Sequence, residues 1–161
     1  MTIFESKTNR TNEQKVADGI QKRLNYQFQD DKVTISQTLP LPYYIDRVLF
    51  ENDKIVGWVE IKCTTTYSYT NSEYYKIGLN KIKQGINWSE STFTPFYLAV
   101  WFTDAVCVAK IEKECMKNYP IKWGGRKIIR EGSTSDQEPM ISIPINDFKL
   151  LRNFDFDKIY N

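Results

Sequence analysis

Two acids and a lysine, Asp46, Glu60 and Lys62, stand in a stretch of the chain that reads as a β-hairpin. Tyr43 to Glu51 and Ile55 to Thr65 are rich in β-branched and aromatic residues, and Asn52-Asp53-Lys54 separates them. Glu60 and Lys62 are two apart, so a strand carries both on one face. Whether Asp46 joins them depends on the turn. A three-residue loop pairs Glu51 with Ile55 and sets Asp46 opposite Glu60, whereas a two-residue loop on Asn52-Asp53 sets Asp46 against Val59 and sends the acids to opposite faces. A shared site therefore requires the odd loop. Facing side chains on neighbouring strands lie roughly 5 Å apart, a span that one divalent ion bridges.

Carboxylates without histidine or thiolate partners are hard oxygen ligands, suited to Mg²⁺ or Mn²⁺ rather than Zn²⁺ or copper. Such an ion lowers the pKa of a bound water and neutralises charge growing on a phosphate. A lysine beside it orients the attacking water or helps to deprotonate it, and stabilises the transition state. Context gives the Glu-x-Lys triplet its weight, since the chain holds another at Glu5-Ser6-Lys7 in its polar N-terminus. Glu60 and Lys62 interrupt an apolar run of Ile55, Val56, Trp58, Val59 and Ile61, and Asp46 sits between Ile45 and Val48. The alternative is a sheet with one solvated face, on which these charges make ordinary cross-strand pairs.

Asp46, a hairpin, Glu60-x-Lys62 and then a polar-faced helix together resemble the PD-(D/E)XK nuclease superfamily. Tyr44-Ile45 stands where that motif has its proline. The resemblance covers about the first two-thirds of the chain. It implies a restriction-endonuclease-like α/β fold, with a central mixed β-sheet flanked by helices in the order αβββαβ and here a C-terminal β-rich extension. It implies that Asp46, Glu60 and the backbone carbonyl of Ile61 ligate the metal and that Lys62 is the catalytic lysine. It also gives Glu13 a place beside the metal, because many members put a glutamate from the first helix there.

The elements that must position these residues are legible in outline. Thr11 to Leu24 reads as an amphipathic helix, with Thr11 and Gln14 as a capping box and Ala17, Ile20 and Leu24 on its buried face. Glu13 shares that face, where the bland reading is a partner for the helix dipole. Lys32 to Leu39 supplies a first strand, ended by Pro40 and Pro42. Cys63 to Asn71 reads as a loop above the site, followed by a helix from about Ser72 to Trp88 with Tyr75, Leu79, Ile82 and Ile86 facing the sheet. Its polar side carries Lys76, Lys83, Lys81 and Gln84, either simply solvated or in contact with phosphates; the resemblance favours Lys81 or Gln84. Phe96 to Phe102 is a continuous apolar run, as expected of a strand covered on both sides, and Ala105 to Ile111 reads as its antiparallel partner.

Towards the C-terminus, Trp123-Gly124-Gly125-Arg126-Lys127 and Glu131 to Pro139 read as loops, Met140 to Ile145 as a strand and Asp147 to Leu151 as a helical turn. Arg126 and Lys127 in such a loop can approach a nucleic-acid backbone, or can be solvated bases on a tight turn.

Composition sets outer limits. The 161 residues, 41% hydrophobic, are enough for one domain spanning 1–161. A net charge of +2 gives no global attraction to nucleic acid, although a local basic rim does not show in a sum. With no histidine, histidine-paired nucleophiles, histidine zinc sites and ββα histidine-metal nucleases are excluded. Cys63, Cys107 and Cys115 have no paired spacing and read as free thiols in a reducing compartment. No stretch reads as a membrane span or a signal peptide, so the expected location is cytoplasmic.

These readings converge on a Mg²⁺-dependent (or Mn²⁺-dependent) deoxyribonuclease acting on DNA, of a size that suits a phage or other mobile element. A homodimer would suit cutting of two strands. The alternatives are a non-catalytic nucleic-acid-binding or adaptor protein on the same scaffold, and a nuclease for RNA or for branched DNA, as in a junction resolvase.

Overall fold

A six-stranded mixed sheet carries the hairpin at its centre. The computed structural model describes residues 7–29, 32–125 and 137–157. Helix α1 (Lys7–Gln27) is followed by β1 (Thr34–Ile35), β2 (Arg47–Glu51), β3 (Lys54–Cys63), β4 (Tyr74–Gly78), α2 (Leu79–Thr92), β5 (Phe96–Trp101) and β6 (Val106–Lys110). Short α3 (Lys113–Met116), β7 (Ile121–Gly125), β8 (Gln137–Pro144) and β9 (Lys149–Leu150) complete the chain. The main sheet has the order β1-β2-β3-β5-β6-β9, in which β3 and β5 are parallel and the other pairs antiparallel. A smaller antiparallel sheet has the order β4-β8-β7.

Burial on both faces explains the unbroken apolar run of β5. Phe96, Leu98 and Val100 face a core shared with Ile82 and Ile86 of α2 and with Tyr75, Ile77, Ile141 and Ile143 of the small sheet. Tyr97 and Ala99 face the other core, with Val16, Ala17, Ile20 and Leu24 of α1 and with Phe154 and Phe156. Trimming one of these fully buried side chains, as in Leu98→Ala, costs about 2–5 kcal/mol. At Gly85 of α2 an added Cβ would lie 2.3 Å from the Phe96 ring, so the missing side chain lets the helix lie close against β5.

Several elements differ from the sequence reading. Helix α1 begins before Thr11, which lies inside it, so the Thr11/Gln14 capping box does not form. Gln14 instead donates to Asp18 and accepts from Arg47. The first strand shrinks to two residues: the Ser36 N–H still donates to Val48, but the Val48 N–H donates to the Ser36 hydroxyl because Arg47 occupies the Ser36 carbonyl, which ends the regular ladder.

The larger correction concerns residues 72–78. Tyr75, Leu79, Ile82 and Ile86 have helical spacing, yet Tyr75 lies on β4 and the helix starts at Leu79. Tyr75 and Ile77 alternate into the core opposite Ile143 and Ile141, a strand pattern that the helical spacing hid. Residues 123–125 and 137–139 are likewise strand rather than loop, paired with each other across the small sheet.

Candidate active site

The hairpin reaches the productive register by an unexpected route. Asn52 and Asp53 form a two-residue turn with φ of 48° and 66°, the backbone of a type I′ hairpin, and Glu51 pairs with Lys54. That short loop alone would set Asp46 against Val59. A β-bulge between Leu49 and Phe50 corrects it: Phe50 pairs with Ile55, Leu49 with Gly57, and Val56 is the extra residue. From there Arg47 faces Val59, and the next rung sets Asp46 opposite Glu60. The three-residue loop expected from sequence is absent, and the bulge supplies the same one-residue shift.

Asp46 lies just before β2, where it takes over the ladder. Its Oδ2 accepts a hydrogen bond of 2.8 Å from the Ile61 N–H, which fixes the carboxylate beside β3. A strand residue sends its N–H and C=O to the same side, so the Ile61 carbonyl points to the edge that Asp46 occupies. Below this point Arg47, 4% exposed, anchors the start of β2 by donating to the Ser36 carbonyl, Gln14 and Thr38. Burial lowers its pKa, while Asp46, Glu13 and Asp18 act the other way.

Glu60 is fully buried, and neither of its carboxylate oxygens has a hydrogen-bond partner among the described residues. Lys62 Nζ at 3.3 Å and Lys81 Nζ at 3.5 Å from Oε1 are electrostatic contacts rather than well-directed hydrogen bonds. Burial pushes the Glu60 carboxyl up to about 7, and Asp46 adds to the rise while the two lysines oppose it. For Lys62, burial favours the neutral amine, but Glu60 and Asp46 outweigh it and the net displacement is upward. Lys62 is thus held as an ammonium.

Buried carboxylate oxygens without donors are costly unless a cation compensates them. The two lysines approach one of the Glu60 oxygens, Oε1, without well-directed hydrogen bonds, and so do this incompletely. Among the described residues no group of three or more His, Cys, Asp or Glu side chains forms a ready-made metal cluster. The available donors are Asp46, Glu60 and the Ile61 carbonyl, an all-oxygen set that leaves positions for water, which is how Mg²⁺ is commonly bound. These residues fit the ion.

The remaining candidates fall in different places. Lys81, in the first turn of α2, joins the site through Glu60. Gln84 lies one helical turn further on, half-buried, and Lys83 is exposed. Lys76 is on β4 rather than on the helix, exposed on the small sheet. Glu13 belongs to α1, which packs on the face of β3 carrying Val59 and Ile61, whereas Glu60 and Lys62 alternate to the other face. Its charge acts on Arg47 and on the Cys63 thiol, which burial, with smaller help from Glu13 and Asp46, pushes up to about 11. Arg126 and Lys127 lie outside the described residues.

Tyr75 was legible only as a core residue. Its buried phenol also sits within electrostatic reach of Lys62 and Glu60, and burial raises its pKa. The signal that could have found it is the strand alternation of Tyr75 and Ile77.

The arrangement is that of a restriction-endonuclease-like nuclease core: a helix, a motif-bearing hairpin, a helix and a parallel strand around a central mixed sheet. A family model described as "Phage putative PDDEXK endonuclease" matches residues 2–151, and the chain belongs to that family. Among solved structures the chain is similar to Hjc of Archaeoglobus fulgidus, a Holliday junction resolvase from an archaeal hyperthermophile. The identity is 10% and the TM-score 0.43, over 80% of this chain and 83% of that one. No curated protein matches the chain by sequence. Among the described residues no helix is long and apolar enough to cross a membrane.

Proposed function

We propose that this chain is a divalent-metal-dependent deoxyribonuclease that hydrolyses DNA phosphodiester bonds with Asp46, Glu60 and Lys62. The observation that carries the reading is Glu60: a fully buried carboxylate without a hydrogen bond, opposite Asp46 and beside two lysines. Asp46, Glu60 and the Ile61 carbonyl would hold Mg²⁺ or Mn²⁺. When bound, the ion supplies charge neutralisation and a water of lowered pKa.

The protein's own groups do the rest. The Ile61 N–H bond orients Asp46, so that the second oxygen of that carboxylate remains for a ligand. Lys62, kept protonated by the two acids, stabilises charge on the phosphate as water adds in line, its proton passing to bulk solvent, and the leaving oxygen departs and takes a proton from solvent; an ammonium cannot accept a proton, so the lysine's contribution is electrostatic. Lys81 brings a second positive charge from the N-terminal turn of α2, where the helix dipole also favours phosphate. Gln84, Lys83 and Lys76 extend the contact with the DNA backbone, and Arg126 and Lys127 are assigned the same role. Glu13, on the far face, acts indirectly by balancing Arg47 at the root of β2. The protein works as a single cytoplasmic domain, and cleavage of both strands would use a homodimer.

The test is cleavage of linear, circular and branched DNA by wild type and Glu60→Gln in Mg²⁺ or EDTA. The reading expects cutting only by wild type and only with the metal. Binding of DNA without cutting by either protein would make the chain an adaptor.

A further inference from the structure

The small sheet has one face in the core and another on a groove that starts at Lys62. Tyr75, Ile77, Ile141 and Ile143 point inward. Alternation sends Tyr74, Lys76, Ser142 and Lys122 to the opposite face, where the register sets Lys76 across from Ser142 and Lys122 across from Met140. The other wall is the segment that follows β3, including Tyr67. That wall is fixed: Asp104 accepts hydrogen bonds from Ser68, from the Tyr69 N–H and from both the N–H and hydroxyl of Thr70, and the Thr103 N–H donates to the Tyr67 carbonyl.

The groove encloses about 910 Å³. Its described lining holds Lys62, Lys76 and Lys122 and no carboxylate. One lining aromatic, Tyr74, presents its ring on this face, 39% exposed, whereas Trp123, next to Lys122 on β7 and bonded to Gln137, alternates to the face of Ile121 and Ile141. Lysines that track phosphates, interleaved with aromatic platforms for bases, are the combination that binds unpaired nucleic acid. A duplex, with its bases stacked on each other, offers no free base face to Tyr74 along its length.

We propose that this groove takes an unpaired DNA strand leading to the site at Lys62, with phosphates on Lys76 and Lys122 and a base stacked on Tyr74. The assignment rests on the nuclease reading for the position of the scissile phosphate, and it makes the substrate a DNA with a single-stranded arm. Two measurements on the full chain test it, using wild type, Tyr74→Ala and, as a control on the opposite face of the sheet, Trp123→Ala. One is equilibrium binding of a labelled oligothymidylate in EDTA. The other is Mg²⁺-dependent cleavage of a blunt duplex and of the same duplex bearing an unpaired arm.

Tyr74→Ala should weaken oligothymidylate binding by about 5- to 100-fold, as loss of one stacked base does, and slow cutting of the armed duplex by a similar factor, whereas Trp123→Ala should bind as wild type does. Cutting of the blunt duplex should stay at the wild-type rate. Lys122→Ala should flatten the salt dependence of binding by about 0.7 in the log–log slope. Unchanged oligothymidylate binding by Tyr74→Ala overturns the groove assignment, and the nuclease reading still stands if wild type cuts. Failure of wild type to cut either duplex removes the nuclease reading, and the binding series then decides the groove by itself.

Discussion

Replacing Glu60 by Gln should stabilise the metal-free protein at alkaline pH and do little at acid pH. The carboxyl is displaced from 4.5 to about 7, chiefly by burial. Between those two values the folded chain holds a proton that the unfolded chain has released, so folding stability falls as pH rises through that window. At 1.4 kcal/mol per pH unit the full displacement corresponds to about 3 kcal/mol above pH 7. Gln removes the charge and keeps the shape. Lys81 is 41% exposed and keeps its water when the acid is gone, and Lys62, which burial partly desolvates, keeps Asp46 as its counter-charge. For a chain of 161 residues the gain corresponds to roughly 6–12 °C in Tm at pH 8, shrinking to about 1 kcal/mol at pH 5. Thermal unfolding followed by circular dichroism at both pH values, with EDTA and then with Mg²⁺, reads all of this. Mg²⁺ should raise the Tm of wild type at pH 8 and leave Glu60→Gln unmoved. A variant that is less stable than wild type at pH 8, by the same amount as at pH 5, would show that Glu60 is ionised and well paired with its lysines. The reasoning from an uncompensated carboxylate would then be wrong.

Two further substitutions probe how the site is held. Asp46→Ala removes the acceptor of the Ile61 N–H and should cost about 1–2 kcal/mol in urea unfolding, with cleavage lost altogether. Gly85→Val forces a side chain into the Phe96 ring; it should cost about 1–3 kcal/mol and slow cleavage by shifting Lys81 away from Glu60, both checked on the purified variant.

The chemistry was more legible in the sequence than the geometry that serves it. Asp46, Glu60 and Lys62 stand out because charges are rare in a run as apolar as Ile55 to Ile61. Their shared face was read as needing a three-residue loop, because alternation counts residues and a bulge is a local irregularity that residue types barely announce. The type I′ turn was visible in Asn52-Asp53, both residues that tolerate positive φ. The shift at Leu49/Phe50 was not.

Residues 72–78 failed for a different reason. Tyr75 and Ile77 satisfy strand alternation while Tyr75, Leu79, Ile82 and Ile86 satisfy helical spacing, and only pairing with β8, more than sixty residues away, decides between them. Pairing with the other side of β8 makes Trp123–Gly125, a glycine-rich loop by composition, part of an edge strand. The burial of Glu60 could not be seen either, since it depends on α2 lying close enough, over Gly85, to cover β3 and β5.

The most direct test of the central claim is single-turnover cleavage of DNA in Mg²⁺ by Lys62→Ala beside wild type, with circular dichroism confirming that both are folded. Removing an ammonium that stabilises the developing charge should slow cleavage by about 100-fold or more while DNA binding and the Mg²⁺-induced rise in Tm persist. Cleavage by Lys62→Ala at the wild-type rate would contradict the account, because the hairpin then brings these three residues together for something other than cutting DNA.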